Sequence, residues 1–299
     1  MVEKSEFRSG FVTIVGAPNT GKSTLLNRML GEKISITSSK PQTTRNRILG
    51  VVHRPHAQMV FLDTPGIHRA TEPLNVRIVD EAFSAMADGD LILFVVDTEH
   101  ADEASEKLLL NKLVTLKVPV ILALNKIDLI GKADQLVLID KWSRVHSFQA
   151  LVPISAATGE QVDSLLSEME TLLPVGPPFF PEDTLTDLPQ RFIVAEIIRE
   201  KVFRLTGQEI PYATAVTVES FKEKKGGQIV YIEATIHLER DSQKGIVIGK
   251  QGKKLKQIGE DARKEMERLL ETRVFLKLFV RVQKNWSRDT KALRQFGYG

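Results

Sequence analysis

Eight consecutive residues carry the most specific chemistry in the chain. Gly16-Ala17-Pro18-Asn19-Thr20-Gly21-Lys22-Ser23, followed by Thr24, fit the pattern G-x-x-x-x-G-K-S. The two glycines let the backbone turn until successive N–H groups point inward, and at a helix start such a turn cradles phosphate oxygens. Lys22 has the reach for the β- and γ-phosphates of a nucleoside triphosphate. The Ser23 hydroxyl is a hard oxygen donor suited to Mg2+. The pattern specifies a triphosphate and leaves base and reaction open.

Three more groups narrow both. Asp63-Thr64-Pro65-Gly66 places an acid where it could hold Mg2+, directly or through water, and a glycine N–H near a γ-phosphate. Asn125-Lys126-Ile127-Asp128 would select the base. Guanine offers two donors on one edge, and the Asp128 carboxylate accepts both, whereas adenine would leave that charge unpaired. Asn125 would touch the base edge and brace the phosphate loop, with Lys126 packed over the base. Ser155 and Ala156, in Ser155-Ala156-Ala157, are small enough for a backbone N–H to reach the guanine carbonyl. In the polar stretch Thr37–Arg45, Thr44, with Thr43 as runner-up, could complete the Mg2+ shell with GTP and let go after hydrolysis.

These groups need strand ends to hold them. Apolar runs at Phe11–Val15, Ile48–Val52, Met59–Leu62, Leu91–Val96, Val120–Leu124 and Val152–Ile154 alternate with helical patterns such as Val162, Leu165, Leu166, Met169, Leu172 and Leu173. That alternation predicts an α/β fold, a mostly parallel sheet with helices on both faces. Ligands in such sheets bind at the carboxyl ends of the strands, where each motif falls.

The order GAPNTGKS, QTTR, DTPG, NKID, ISA resembles the translation-factor-like GTPases of the Era and TrmE group. The resemblance implies hydrolysis of GTP to GDP and phosphate, with Lys22, Thr44, Asp63 and Gly66 as the catalytic set. One position departs from Ras-like relatives. They carry a water-orienting glutamine directly after D-x-x-G, and here Ile67 stands there, so slow intrinsic turnover is expected. Asn19 matches the asparagine that, in relatives, helps hold K+ near the phosphates.

Composition adds limits. The chain has 299 residues, enough for two domains, and no cysteine, which excludes disulfides and thiolate metal sites and fits a reducing compartment. Its first ten residues are polar with both charge signs, so no signal peptide is expected, and the last five carry no lipidation signal. The longest apolar runs are too short to span a bilayer. The net charge of +3 is unevenly spread: residues 1–190 hold 18 Lys and Arg against 24 Asp and Glu, and residues 191–299 hold 23 against 14. A basic second half suggests a polyanionic partner. Five prolines between Pro174 and Pro189 predict a stiff, extended connection, with Phe179-Phe180 available to pin it to a domain surface. The expected division is a GTPase domain over 7–174, a linker over 175–190 and a second domain over 191–299.

In the second half the periodicity predicts a helix over Arg191–Leu205, strands over Tyr212–Phe221 and Val230–Leu238, a helix from Lys253, and a last strand over Val274–Val282. The segment Ile246–Gly259, with Gly249-Lys250-Gln251-Gly252 between two helices and the element order α-β-β-α-α-β, resembles the nucleic-acid segment of a type II KH domain. A glycine loop lets a nucleic-acid backbone come close and clamp about four nucleotides. Lys250, Lys253, Lys254 and Lys256 would contact phosphates, and an apolar groove beside the loop would take unstacked bases. Trp286, with Arg281 and Arg288, would either extend the basic surface or, for Trp286, belong to the core.

One GTPase domain followed by one type II KH domain resembles the Era branch of the group over nearly the whole chain. That resemblance implies a ribosome-assembly GTPase, binding the 3′ region of 16S ribosomal RNA and assisting its processing and 30S subunit biogenesis. It implies a cytoplasmic monomer, with peripheral association at the inner face of the membrane reported for the family. Two other readings stay open at this point: a signalling GTPase docked on membrane or protein, and an RNA chaperone with incidental hydrolysis.

Overall fold

The computed structural model describes residues 6–37, 47–68, 73–207, 210, 214–224 and 228–296. They form two compact units that meet in sequence between Asp187 and Leu188.

The first unit is an α/β sandwich. Its elements are β1 (Arg8–Val15), α1 (Lys22–Leu30), β2 (Ile48–Arg54), β3 (Ala57–Asp63), α2 (Pro73–Asp88), β4 (Leu91–Asp97), α3 (Glu103–Leu113), β5 (Val120–Asn125), α4 (Lys132–Ser143), β6 (Ala150–Ile154) and α5 (Val162–Leu172). The six described strands lie in the order β2-β3-β1-β4-β5-β6. All neighbours run parallel except β2, which hairpins back antiparallel on β3. β3 and β4 are buried along their whole length, which is why they read as unbroken apolar runs. β1 lies between β3 and β4, so the chain leaves it in one direction and later returns on the other side. That reversal opens a crevice at the carboxyl end of β1, where Gly16 begins.

The proline-rich stretch lies along this unit. Ser9 N–H donates to Pro174 O (3.0 Å) and Ser9 Oγ to Pro177 O (2.7 Å). The buried Gln58 takes the N–H groups of Phe179 and Phe180 on Oε1 (2.6 and 2.9 Å) and donates Nε2 to Phe180 O (2.7 Å). Phe179 stacks on Phe11 with ring centroids 5.0 Å apart. Prolines leave this stretch without a ladder of its own, and Ser9 and the buried Gln58 amide supply partners for its backbone.

The second unit comprises α6 (Gln190–Leu205), β7 (Ala215–Glu223), β8 (Ile229–Leu238), α7 (Asp241–Ile248), α8 (Lys253–Leu269), β9 (Arg273–Val282) and α9 (Thr290–Gln295). β7 pairs antiparallel with β8, and β8 parallel with β9. Ile197, Ile198 and Val202 of α6, Ile232 and Ile236 of β8, and Ile258 and Met266 of α8 share the core. Trp286 is wholly buried, edge-on to Phe296 at 5.2 Å, so it belongs to the core and adds nothing to the basic surface.

His237 lies buried near the end of β8, its Nε2 2.8 Å from Thr217 Oγ1 and its ring 4.5 Å from Phe296. Burial, aided by Arg281 and opposed by Glu219, lowers its pKa to about 4. The unfolded imidazole takes a proton near pH 6.5, before the folded one does. Stability from this site is therefore complete above pH 6.5 and drains away as the pH falls toward 4, a loss on the order of 3 kcal/mol. Imidazole NMR titration of the full chain should find His237 titrating near pH 4. An ordinary value near 6.5 would sink this account.

Candidate nucleotide site and nucleic-acid groove

The phosphate loop leaves β1 at Val15 and enters α1 at Lys22. Glycine is required at both ends. A Cβ on Gly16 would stand 2.3 Å from Val95 O, and one on Gly21, at φ +92°, 2.3 Å from Asn125 Nδ2. Helix α1 has no capping side chain and no acidic residue in its first turn. Its leading N–H groups thus point into the loop, suited to an anion. Thr20 Oγ1 steadies the loop on Ala17 O (3.1 Å). Asn19 is exposed at φ +66°, its carboxamide without a partner among the described residues.

Lys22 lies buried beneath this loop. Its Nζ donates to Gly16 O (3.0 Å) and Ala17 O (2.7 Å). Burial lowers its pKa to about 8, with Asp63 pulling the other way. Asp63, the last residue of β3, is buried too, and burial raises its pKa against the pull of Lys22, Ser23 and Ser35. Ser23 Oγ and Ser35 Oγ both donate to Asp63 Oδ2, at 2.8 and 3.1 Å. Oδ1 is buried with no partner among the described residues. An orphaned carboxylate oxygen beside a serine hydroxyl is a hard-oxygen pair that fits Mg2+. Among the described residues no group of three or more His, Cys, Asp or Glu side chains is placed to hold a metal ion.

The Asp63–Gly66 turn rests on the loop. Thr64 Oγ1 donates to Ile14 O (2.7 Å), and Ile67 N–H to Gly16 O (3.1 Å). A Cβ on Gly66 would lie 2.7 Å from Pro18 Cα. Ile67 is wholly buried in the core and faces no water. Thr44 and Thr43 lie outside the described residues.

At the base end, Asn125 joins two loops. Its Nδ2 donates to Thr20 O (2.7 Å), and its Oδ1 accepts from Ala156 N–H (2.9 Å). Of the backbone N–H groups at this strand end, that of Ala156 is thus bonded to Asn125 and that of Ser155 to Glu160 O (3.0 Å). Lys126 sits at φ +73° and forms an ion pair with Asp97, the last residue of β4. Asp128 is exposed, and its carboxylate has no partner among the described residues.

Sequence reasoning missed four supporting residues. Asp97 also accepts the Glu99 and His100 N–H groups (2.9 and 3.1 Å). Arg28 bonds the carbonyls of Ala156 and Ala157. Asn27 Oδ1 takes the N–H groups of Ile34 and Ser35 (both 3.0 Å), which sets the Ser35 hydroxyl on Asp63. Asp97 is signalled in the sequence as the acid that closes the apolar run Leu91–Val96; Arg28, Asn27 and Ser35 depend on folding alone.

In the second unit, α7 ends at Gly249 (φ 70°, ψ 177°), Gln251 follows at φ 53° and Gly252 at φ 75°. Helix α8 then starts without a side-chain cap or an early acid, so its N–H groups are open to phosphate. Lys250, Lys253 and Lys256 are exposed and Lys254 half-buried. Between α8 and β9 runs a groove of about 540 Å3, floored by Leu255, Gly259, Leu276 and Leu278 and rimmed by Lys256 and Arg263. Among the described residues, no helix is long and apolar enough to cross a membrane.

Residues 11–126 match the family model described as "50S ribosome-binding GTPase", and residues 209–287 match that of the KH domain. The chain is 55% identical to the GTPase Era of Geotalea uraniireducens over 298 residues, all of both chains. It is 56% identical to that of Geobacter metallireducens over 292 residues, 98% of each. Among solved structures it resembles an Aquifex aeolicus Era bound to GDP.AlF4-, with TM-score 0.94 and 42% identity over 98% of this chain and 100% of that one. It resembles equally an Era in complex with MgGDPNP and nucleotides 1506–1542 of 16S ribosomal RNA, with TM-score 0.94 and 43% identity over 98% of this chain and 99% of that one. A GTPase family model and a KH model in one chain, matched end to end by relatives more than 50% identical, show that the chain belongs to the GTPase Era family.

Proposed function

We propose that the chain is a timed RNA clamp: a GTPase domain over 7–174, a linker over 175–190 and a KH domain over 191–299 that binds the 3′ region of 16S ribosomal RNA. What supports this most is the Era relative that holds MgGDPNP and nucleotides 1506–1542 of 16S ribosomal RNA, which this chain matches over both units. The clamp assists 16S processing and 30S subunit biogenesis. The protein works as a cytoplasmic monomer, and any attachment to the inner membrane face is peripheral.

Each residue then has a task. Gly16 to Thr24 wrap the phosphates, with Lys22 turning from the Gly16 and Ala17 carbonyls to the β- and γ-oxygens. Ser23, Asp63 and Thr44 hold Mg2+, which when bound neutralises charge that builds on the phosphate oxygens. Thr64 and Pro65 fix the turn that presents Gly66 N–H to the γ-phosphate. Asn125, Lys126, Asp128, Ser155 and Ala156 frame guanine. Gly249 to Lys254 and Lys256 grip the RNA backbone. GTP orders the Thr44 stretch and the Asp63–Gly66 turn and favours RNA, and hydrolysis releases it. Crosslinking with site mapping, in GTP and in GDP, should place RNA on 249–256 and show tighter binding with GTP. Crosslinks elsewhere, or equal affinity in both states, would remove the clamp.

Ile67 cannot orient water, so water must be held in place by another group, and a bound cation would stand in for the arginine finger. The open Asn19 carboxamide beside the phosphate loop offers an oxygen to K+. Hydrolysis in KCl should exceed that in NaCl roughly 10-fold or more, and Asn19→Ala should abolish the difference. Equal rates in the two salts would dispose of the potassium site.

A further inference from the structure

Strand β9 lies at the edge of its sheet and carries two unlike faces. Leu276 and Leu278 face α8 and line the groove. On the opposite face alternate Arg273, Phe275, Lys277, Phe279 and Arg281, all exposed. Phe275 and Phe279 show 53% and 43% of their surface, a large exposure for phenylalanine in a strand. Register puts Tyr231 of β8 beside Phe275, and their ring centroids are 5.2 Å apart. Lysines attend these rings: Lys224 Nζ lies 4.6 Å from the Tyr231 ring, and Lys277 Nζ 4.9 Å from that of Phe279. Two acids share the face. Glu233 is bridged by Lys277 at 3.5 Å, and Glu219 lies at the far end near His237 and Arg281. Phe296 of the C-terminal segment covers that end through His237, and among the described residues the Tyr231–Phe275–Phe279 end stays exposed.

We propose that this outer face is a second nucleic-acid site, a stacking platform for single-stranded RNA that leaves the KH groove and turns over the β9 edge. The inference rests on the reading of the groove as an RNA site. Phe275 and Phe279, four residues apart on the strand, stand about 13 Å apart, close to the span of two extended nucleotides, so each ring is placed for every second base with Lys277 between them for the intervening phosphates. Rings take any base by stacking, and the flanking Arg and Lys follow the phosphates. The positive balance of the face selects RNA over an apolar partner. It also gives a use to basic residues that the groove leaves idle.

The test uses the full chain and fluorescence anisotropy with random-sequence single-stranded RNAs of about four and about twelve nucleotides. Phe275→Ala/Phe279→Ala should weaken the longer RNA roughly 10- to 100-fold and leave the shorter unchanged. The double Trp variant should bind as the parent does, while the double Leu variant, equally apolar but flat-faced nowhere, should not. Gly252→Asp, which puts a negative charge in the groove loop, should weaken both RNAs. If the Ala pair binds the longer RNA normally, the platform is wrong. Gly252→Asp then decides separately whether the groove reading stands. If the Ala pair instead abolishes self-association in sedimentation velocity at unchanged RNA affinity, the face joins two copies of the chain, and the proposal is overturned.

Discussion

An Asp128→Asn chain should bind XTP and lose most of its grip on GTP. The other motif residues are already engaged. Asn125 is tied to Thr20 and Ala156, and Lys126 to Asp97, while the exposed Asp128 carboxylate has no partner among the described residues. Among the described residues it is the polar side chain of this motif without a partner. A carboxylate accepts from both guanine donors. An asparagine offers one acceptor and one donor, and that donor meets the guanine amino group head-on. Xanthine carries a carbonyl there and restores the pair. With a charged hydrogen bond lost and a donor left facing a donor, GTP affinity should fall roughly 100- to 1000-fold. XTP should gain by a comparable factor. The fold should not notice, since an exposed residue without partners changes stability by about 0.5 kcal/mol or less. Titration with fluorescent GTP and XTP analogues decides it, and unchanged GTP affinity would refute the role given to Asp128.

Local rules made much of this site readable. Gly16 and Gly21 mark a turn, and Lys22 and Ser23 a phosphate and a metal, because the chemistry needs those side chains at fixed spacing. Asp63 and Asn125 each close an apolar run, and parallel sheets align such ends. Ile67 announced by its type that it could not handle water, and it proves wholly buried. Contacts distant in sequence stayed hidden. Nothing in the order of residues joins Arg28 to Ala156, Ser35 to Asp63 or Gln58 to Phe180, since each pair is made only when separate elements pack. Strand β9 was half legible. Its apolar alternation at Val274, Leu276, Leu278, Val280 and Val282 showed a core face, and attention to the core hid the aromatic and basic set between those residues. Trp286 could not be placed from sequence because a lone tryptophan suits both core and interface.

The two glycines of the KH loop should prove unlike when mutated. Gly249 adopts φ 70°, ψ 177°, a region open essentially to glycine alone. A Cβ there would come within 2.7 Å of Lys254 Cβ and 3.2 Å of Lys254 N, and the first turn of α8 cannot withdraw without breaking its own hydrogen bonds. Gly249→Ala should therefore cost about 2–4 kcal/mol of stability in the second unit, from strain plus overpacking. RNA affinity should fall with it, because the start of α8 is displaced. Gly252 sits at φ 75°, ψ 5°, the left-handed helical region, and its Cβ would meet nothing within 4 Å. Gly252→Ala should cost only about 1–2 kcal/mol. Yet its Cβ would project into the space kept open for an RNA backbone, so affinity should still drop roughly 10-fold or more, the loss of about 1.4 kcal/mol of contact. Chemical denaturation and RNA titration of both variants separate the effects: Gly249 keeps the loop in shape, and Gly252 keeps it approachable. A Gly252→Ala chain that binds RNA as well as the parent would mean that the backbone does not pass over this loop.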